Sequence, residues 1–454
     1  MAKYEIDMCR GPLFKKIVLF SVPLIATSVL QLLYNAADVV VVGQFAGKEA
    51  LAAVGSTGSL ISLIINLFIG LSIGTSVAVS NYYGAGNREG IRNAVHTSIA
   101  ISGASGVFLA VFGIFMAQPL LVLMDSPPDV IDGATLYMQI YFAGMPFNMV
   151  YNFGAAILRA VGDTRRPLYY LTFSGIINVV LNLVLVIVFH MGVAGVAIAT
   201  VVSQIISSLL VINCLLHSDG DTHLDLKKLR IHKTELLEIA RVGLPAGIQN
   251  SLFAISNVLI QSAVNSFGSD AVAGNSAASN LDGFVYCAMN AFHQAAVTFA
   301  SQNLGAKQYH RLRRVFGMCF LCVTMVGVAM GALFFLFRVP LLSIYTDDPA
   351  VILAGKTRML YVTLPYVLCG MMEVASGQMR GMGYSILPMI VSLTGACAFR
   401  VIWIYTFFDA FPTLDMLFVS YPVSWIITTA AHYISYLIAQ RKLPSDDMPI
   451  APAE

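Results

Sequence analysis

The feature that most constrains this chain is a series of long apolar segments that recurs along its whole length. The first, residues 17–42, reads IVLFSVPLIATSVLQLLYNAADVVVV and can cross the hydrocarbon core of a bilayer, which takes roughly 20 residues of helix. Only 11% of the 454 residues are charged, and the mean hydropathy is +0.78, whereas about 25% of the residues in a soluble domain are charged. The sequence therefore predicts an all-α integral membrane protein.

Twelve apolar segments can be placed with a window of about 20 residues. They fall at residues 17–42, 51–80, 91–117, 130–157, 167–189, 193–216, 243–266, 271–301, 315–337, 350–378, 388–408 and 413–438. A polar stretch separates the sixth segment from the seventh. We therefore predict four parts, namely a six-helix bundle over 1–216, a cytoplasmic connector over 217–241, a second six-helix bundle over 242–440 and a cytoplasmic tail over 441–454.

The placement of lysine and arginine predicts the orientation, because cytoplasmic loops are enriched in both. With the N-terminus in the cytoplasm, 21 of the 26 basic residues fall in loops on that side. The remaining five are Lys48, Arg338, Lys356 and Arg358, assigned to the opposite side, and Arg400, assigned to a span. This imbalance predicts that both termini are cytoplasmic.

The two halves of the chain have prolines at equivalent positions, at a shift of 221 residues. Pro119 matches Pro340, and Pro167 matches Pro388. Each half has an even number of predicted spans, so both enter the membrane in the same sense. The halves are then expected to be related by a pseudo-two-fold axis along the membrane normal, with a binding site near the midplane, as in parallel-repeat transporters that work by alternating access.

The first half contains one deep carboxylate, Asp38. On insertion scales, the free energy of placing a charged side chain at the centre of a membrane helix is unfavourable by roughly 2.5 to 3.5 kcal/mol. Such a residue is therefore a functional candidate by default. Asn178 and Asn182 share one face of the fifth segment, and Thr200 lies at a similar depth on the sixth. Together they predict a pocket that binds a cation or a proton. The amides and the hydroxyl could instead only hydrogen-bond between helices.

The second half contains Asp282, Glu373 and Arg400 within its apolar segments. A buried charge is costly unless an opposite charge lies next to it. Either carboxylate could therefore pair with Arg400, and the sequence leaves both pairings open. At the 221-residue shift Asn152 matches Glu373.

We assign six residues to a candidate substrate cavity, because aromatic and polar side chains suit a cationic aromatic guest. They are Tyr34, Tyr141, Asn152, Asp282, Glu373 and Arg400.

Catalytic motifs are missing from the sequence. There is no HExxH, GxSxG or P-loop pattern, so we expect no enzymatic activity, no cofactor and no binding to nucleic acid. The pair Cys319 and Cys322 falls in an apolar helix, and we interpret both cysteines as packing residues rather than metal ligands. Two alternatives stay open at this point, a flippase for lipid-linked precursors and a membrane-embedded enzyme.

Several motifs together resemble the multidrug and toxic compound extrusion (MATE) family. They are LRAVGDTRRP after the fourth span, the two asparagines of the fifth, GVAGVAIAT ending at Thr200, and SQNLGAK after the eighth. The resemblance implies a monomeric antiporter in the plasma membrane of a prokaryote. It also implies that small organic cations are exported by alternating access in exchange for protons or sodium. The family's cation site maps onto Asp38, Asn178, Asn182 and Thr200, with a helix bend at Pro23.

One position departs from the family pattern. The family often has a second aspartate where this chain has Asn182, and a site with one carboxylate favours protons over sodium, although sodium at this site is the one metal ion that we keep open. The first span of the second half has Phe253 and no acidic residue. This favours a prokaryotic branch other than the NorM branch, either DinF-like or related to it.

Overall fold

The computed structural model describes residues 4–124, 126–218 and 220–444. Within these ranges the chain forms α-helices and no strand. The helices are α1 (Leu13–Phe45), α2 (Lys48–Gly84), α3 (Arg88–Leu123), α4 (Ile131–Ala143), α5 (Met145–Ala160), α6 (Arg165–Leu183), α7 (Gly192–Leu216), α8 (Lys233–Asn265), α9 (Ser269–Gly305), α10 (Tyr309–Leu336), α11 (Arg338–Ser343), α12 (Pro349–Arg358), α13 (Tyr366–Gly381), α14 (Ile386–Ser392), α15 (Phe399–Trp403) and α16 (Leu414–Arg441). The predicted tail lies outside the described residues from position 445 onward.

Each predicted apolar segment coincides with a helical passage. Nine of these passages are long and apolar enough, in length and composition alone, to cross a membrane within the described ranges. Of the other three, the fourth is divided at Gly144 into α4 and α5, and α8 and α9 carry more polar residues. The predicted all-helical membrane architecture is therefore observed segment by segment.

Several passages contain π-helical turns, in which each N–H bonds to the carbonyl five residues earlier. Four such segments occur in the described residues, at Val184–Val188, Met359–Thr363, Leu393–Ala398 and Ile404–Phe408. The N–H of Leu364, for example, donates to the carbonyl of Met359 at 2.9 Å. Wide turns of this kind are rare and often lie at functional sites.

The prolines inside the predicted spans have two kinds of placement. Pro146 and Pro365 lie where a helix begins, in the first turn of α5 and directly before α13. Pro23, Pro245 and Pro422 lie inside the continuous helices α1, α8 and α16. Helix α1 thus runs unbroken through Pro23, and the bend expected there stays a prediction.

By its internal contacts the described chain divides into two compact units. The first contains residues 4–6, 26–83 and 87–247, and the second contains residues 7–25, 84–86 and 248–444. The boundaries predicted from the sequence, at residues 216, 241 and 440, divide the chain differently from these two units. They remain a prediction.

In the first unit, α3 packs against α4 and α5, and α7 packs against α4, α5 and α6. Helix α2 meets the first part of α8 at glycines, so the two backbones nearly touch. A Cβ atom added to Gly70 would lie 2.2 Å from the backbone nitrogen of Gly247, and one added to Gly74 would lie 2.1 Å from the carbonyl oxygen of Ile239. Small residues allow membrane helices to approach this closely.

In the second unit, α9 lies at the centre and packs against α10, α12 and α13. Helix α16 covers α13 and the π-helical segments of the tenth and eleventh passages. Large apolar side chains stay exposed on both units, such as Phe115 at 76% and Leu336 at 73%. Exposed apolar surface on this scale marks an interaction surface, and in a chain of apolar spanning helices its partner is the lipid bilayer.

Candidate functional site

The first unit brings together the four side chains that the sequence assigned to a cation site. Asp38 lies on α1, Asn178 and Asn182 on α6, and Thr200 on α7. Asp38 is only 8% exposed, and Asn182 is fully buried. We call these four residues the Asp38 cluster.

The cluster is connected by hydrogen bonds. The Nδ2 group of Asn182 donates to Oδ1 of Asp38 and, at 3.2 Å, to Oδ1 of Asn178. The Thr200 hydroxyl lies 3.4 Å from Oδ2 of Asp38 and 3.4 Å from Nδ2 of Asn178, and it also donates to the carbonyl of Val196 at 3.0 Å. Three helices are therefore held at one carboxylate.

Every hydrogen-bond partner of Asp38 is neutral. In the part of the chain that the structure describes, no lysine, arginine or histidine nitrogen lies within 4.0 Å of its carboxylate. The buried Oδ1 of Asn182 has no hydrogen-bond partner among the described residues, so an unused acceptor lies beside the carboxylate. A charge with neutral partners in a buried site is best compensated by a proton or a bound cation, and a hard cation prefers such oxygen ligands.

Tyr34 and Tyr141, two tyrosines predicted for the cavity wall, make different contacts within the first unit. The hydroxyl of Tyr34 donates to the carbonyl of Thr172 at 3.3 Å, and its ring occupies the space that a side chain at Gly175 would need. Tyr141 stacks on Tyr137 with ring centroids 5.9 Å apart, and both interact electrostatically with Asp38. Tyr141 is therefore the better candidate for contact with a guest at the cluster.

Asn152 and Pro23 lie apart from the cluster. The amide of Asn152 donates to the backbone carbonyl and to the side chain of Asn148, one turn earlier on α5, at 2.9 and 3.0 Å. Pro23 precedes Asp38 by 15 residues on α1, which is about 22 Å along a helix. The hydrogen bonds described for Asn152 do not reach the carboxylate of Asp38.

In the second unit, Asp282 pairs with an arginine that the sequence analysis had placed in an outer loop. Its Oδ2 lies 2.9 Å from Nη2 and 3.1 Å from Nε of Arg358, and its Oδ1 accepts from the Thr363 hydroxyl at 2.5 Å. Arg358 is 8% exposed and ends α12, nine residues after Pro349, or about 14 Å along a helix. The loop assignment of Arg358 was therefore wrong.

Neither carboxylate pairs with Arg400, so both pairings that the sequence left open were wrong. Glu373 instead contacts His293, with Oε2 3.3 Å from Nδ1, and the same ring nitrogen donates to the Glu373 backbone carbonyl at 2.7 Å. Arg400 donates from Nε to the Ser424 hydroxyl at 2.9 Å. Its guanidinium carbon lies 4.2 Å from the ring centroid of Tyr421.

Sequence reasoning missed three members of the Asp282 network, namely Arg358, Thr363 and Asn275. Asn275 accepts from Nη1 of Arg358 at 2.8 Å. A signal for it was present, because Asn275 precedes Asp282 by seven residues and therefore shares its helix face. A signal for Arg358 was also present, because Asp282 required a buried partner.

Comparison with known proteins places this arrangement in a family. The family model MatE matches the chain twice, at residues 23–184 and 245–406. The chain belongs to the MatE family. The second match begins 222 residues after the first, which supports the repeat recognised in the sequence.

The relatives of this MatE protein agree with that assignment. It is 29% identical over 443 residues to the probable multidrug resistance protein YoeA of Bacillus subtilis, which covers 95% of each chain. It is 25% identical to a protein of Shewanella oneidensis named FAD transporter, which covers 76% of this chain and 77% of the other. MatE proteins are transporters, so the alternative of a membrane-embedded enzyme is excluded.

A solved structure shows the same fold. An outward-facing multidrug resistance MATE family transporter superposes with a TM-score of 0.91 at 23% identity, over 98% of this MatE protein and 99% of that chain. The predicted fold class is therefore confirmed as twelve transmembrane helices in two six-helix bundles.

Proposed function

We propose that this MatE protein is a secondary active antiporter that exports amphipathic organic cations in exchange for protons, with Asp38 as the group that both ions use. The observation that carries the proposal is the buried Asp38 carboxylate, whose hydrogen bonds within the described residues are with a neutral amide and a neutral hydroxyl. An ionised carboxylate in that environment has no fixed counter-charge. A proton from one side and a cationic compound from the other can therefore compete for it.

Alternating access then follows from a two-state equilibrium. A ligand shifts such an equilibrium only as far as it binds one state better than the other. With Asp38 ionised, the cavity accepts the cationic compound. Protonation from the outer side removes the buried charge, changes the hydrogen bonds to Asn182 and Thr200, and weakens the binding of the compound, which leaves.

Proton coupling is preferred to sodium coupling because the Asp38 cluster has a single carboxylate. Asn182 supplies an amide where a second negative charge would strengthen sodium binding. The unpaired oxygen of Asn182 could still be a sodium ligand, so sodium is the alternative coupling ion that the experiment must separate.

The substrate and the cellular setting are part of the same proposal. The relatives named for multidrug resistance and the relative named FAD transporter support small organic compounds as cargo. We place the protein as a monomer in the cytoplasmic membrane of a prokaryote, with both termini in the cytoplasm. With Arg358 removed from that count, Lys48, Arg338 and Lys356 are the three basic residues that the proposed orientation assigns to the outer side.

The test is transport of ethidium, a permanent cation, by the purified protein in proteoliposomes with pH and sodium gradients imposed separately. We expect a pH gradient alone to drive ethidium transport. The Asp38→Asn variant should fall to the level of protein-free liposomes, since its side chain takes up no proton. A Ser207→Ala variant is the control, because that buried hydroxyl on α7 bonds only to the Gln204 carbonyl of its own helix in the described contacts.

Two results would contradict the proposal. Coupled transport that survives in Asp38→Asn would remove Asp38 from the mechanism. Transport that a sodium gradient drives and a pH gradient does not would replace the proton with sodium.

A further inference from the structure

The buried charges of the second unit do not balance. Asp282 is neutralised by Arg358 at 2.9 Å. Glu373 contacts His293 and interacts electrostatically with Arg380. Arg400, which is 4% exposed, has no carboxylate within 4.0 Å among the described residues of this unit. Three buried arginines thus face two carboxylates, and Arg400 is the one that interacts with neither of them in the described contacts.

The surroundings of Arg400 are polar or aromatic but neutral. Its Nε donates to Ser424 at 2.9 Å, and its guanidinium carbon lies 4.2 Å from the ring centroid of Tyr421 and 5.6 Å from that of Trp425. Tyr366, which is only partly buried, contacts Trp425 with centroids 5.3 Å apart. Ring faces stabilise a desolvated cation by about 2 kcal/mol, which does not replace the ion pair that a buried charge requires.

The backbone at Arg400 is also unusual. Arg400 lies on the five-residue helix α15, between the π-helical segments Leu393–Ala398 and Ile404–Phe408.

We propose that Arg400 binds the carboxylate of a transported aromatic compound, while the rings of Tyr421, Trp425 and Tyr366 contact its aromatic part. An arginine offers two parallel N–H groups to a carboxylate, and the contact to Ser424 occupies only Nε. Arg400 lies about 18 Å along its span from Pro388 and is 4% exposed, so it is buried away from a lipid headgroup at that end of the span. The substrate class then includes aromatic compounds that carry a carboxylate. That the bound compound is transported rests on the proposed function, whereas the binding test below does not require transport.

The sequence supplies a reporter for this site. The chain has two tryptophans, Trp403 and Trp425, so Trp425 is the single tryptophan of a Trp403→Phe protein. The probes are norfloxacin, which carries a carboxylate, and its methyl ester, which does not. Quenching of Trp425 emission and energy transfer to the quinolone report binding to the detergent-solubilised protein without any ion gradient.

We expect the Trp403→Phe protein to bind the acid more tightly than the ester. In that background Arg400→Gln should weaken binding of the acid by about tenfold to a hundredfold, as for the loss of a charged hydrogen bond, and leave the ester within about twofold. The control Arg338→Gln makes the same change at an arginine whose described hydrogen bond and ring contact are both with Phe335, and it should keep the preference for the acid. If Arg400→Gln does not fold, Arg400→Lys is compared instead, and we expect a severalfold smaller preference because lysine lacks the planar fork.

Three results would overturn the inference. They are a Trp403→Phe protein without preference for the acid, an equal loss for acid and ester in Arg400→Gln, and an unchanged preference in the Arg400 variant that folds. Transport is a separate readout. If the acid binds through Arg400 but no compound is transported, the proposed function fails and this binding site stands.

Discussion

Oδ2 of Asp282 on α9 lies 2.9 Å from Nη2 of Arg358 at the end of α12, and the pair is buried in the second unit. Thr363 and Asn275 complete the hydrogen bonds of the two charges. Thr363 lies in the π-helical segment that directly follows Arg358. Arg358 and Thr363, five positions apart on one passage, thus both reach the carboxylate of Asp282 across the wide turn.

The first prediction concerns this pair. Arg358→Gln leaves the carboxylate of Asp282 buried without its counter-charge, and breaking such a pair costs about 3–5 kcal/mol. We expect a lower melting temperature in detergent, measured by the loss of the monodisperse peak after heating. The double variant Asp282→Asn with Arg358→Gln should regain much of the loss, because no unpaired charge remains. A double variant that is as unstable as the single one would show that the ion pair is not what stabilises these helices.

The second prediction concerns the coupling ion. Asn182→Asp places a second carboxylate against Asp38, and two adjacent carboxylates either share a proton or bind a cation. We expect sodium, but not an equal concentration of choline, to raise the melting temperature of this variant. A ligand at one hundred times its Kd stabilises by about 2.7 kcal/mol. Asn152→Asp is the control, since its amide bonds only within α5 in the described contacts. An equal response to sodium in both variants would show that the effect does not arise at the Asp38 cluster.

The third prediction concerns the glycine contact between α2 and α8. Gly74→Ala would place a Cβ 2.1 Å from the carbonyl oxygen of Ile239, so the helices must separate, at a cost of about 1–3 kcal/mol or more. Gly58→Ala is the matched control on the same helix, because no atom lies within 4 Å of its added Cβ. We expect a lower melting temperature for the first variant. The control should be unchanged or slightly more stable, since alanine favours helix. Equal melting temperatures would mean that α2 and α8 do not pack this closely.

The fourth prediction concerns the segment before α1. Cys9 lies against the end of α9, with Sγ 3.7 Å from the Gln302 carbonyl, and the neighbouring Met8 carbonyl accepts from Asn303 at 3.2 Å. Burial, and then the nearby negative charge of Asp7, raises the pKa of the Cys9 thiol to about 11. Because the thiolate is the reactive form, alkylation of a variant with Cys9 as its only cysteine should be slow at pH 7.5 and should rise about tenfold per pH unit up to pH 11.

The raised pKa of Cys9 also makes the stability of the folded protein depend on pH. The folded protein holds the Cys9 proton at pH values where the unfolded chain has lost it, so this group lowers the stability as the pH rises from about 9 to 11. Alkylation at pH 7.5 that is as fast as in the denatured protein would show that this segment does not pack against α9.

Periodicity and composition determined the spanning segments, because a stretch of about 20 apolar residues has few alternatives to a membrane helix. They also determined which residues share a depth and a face, and this was enough to bring Asp38, Asn178, Asn182 and Thr200 together. The partners of the second unit's charges were decided only by the tertiary structure. Depth alone allowed Arg400 to pair with Asp282 or Glu373, yet Asp282 pairs with Arg358. Helical periodicity says how deep a side chain lies and which way it faces, whereas its neighbour depends on how the helices pack.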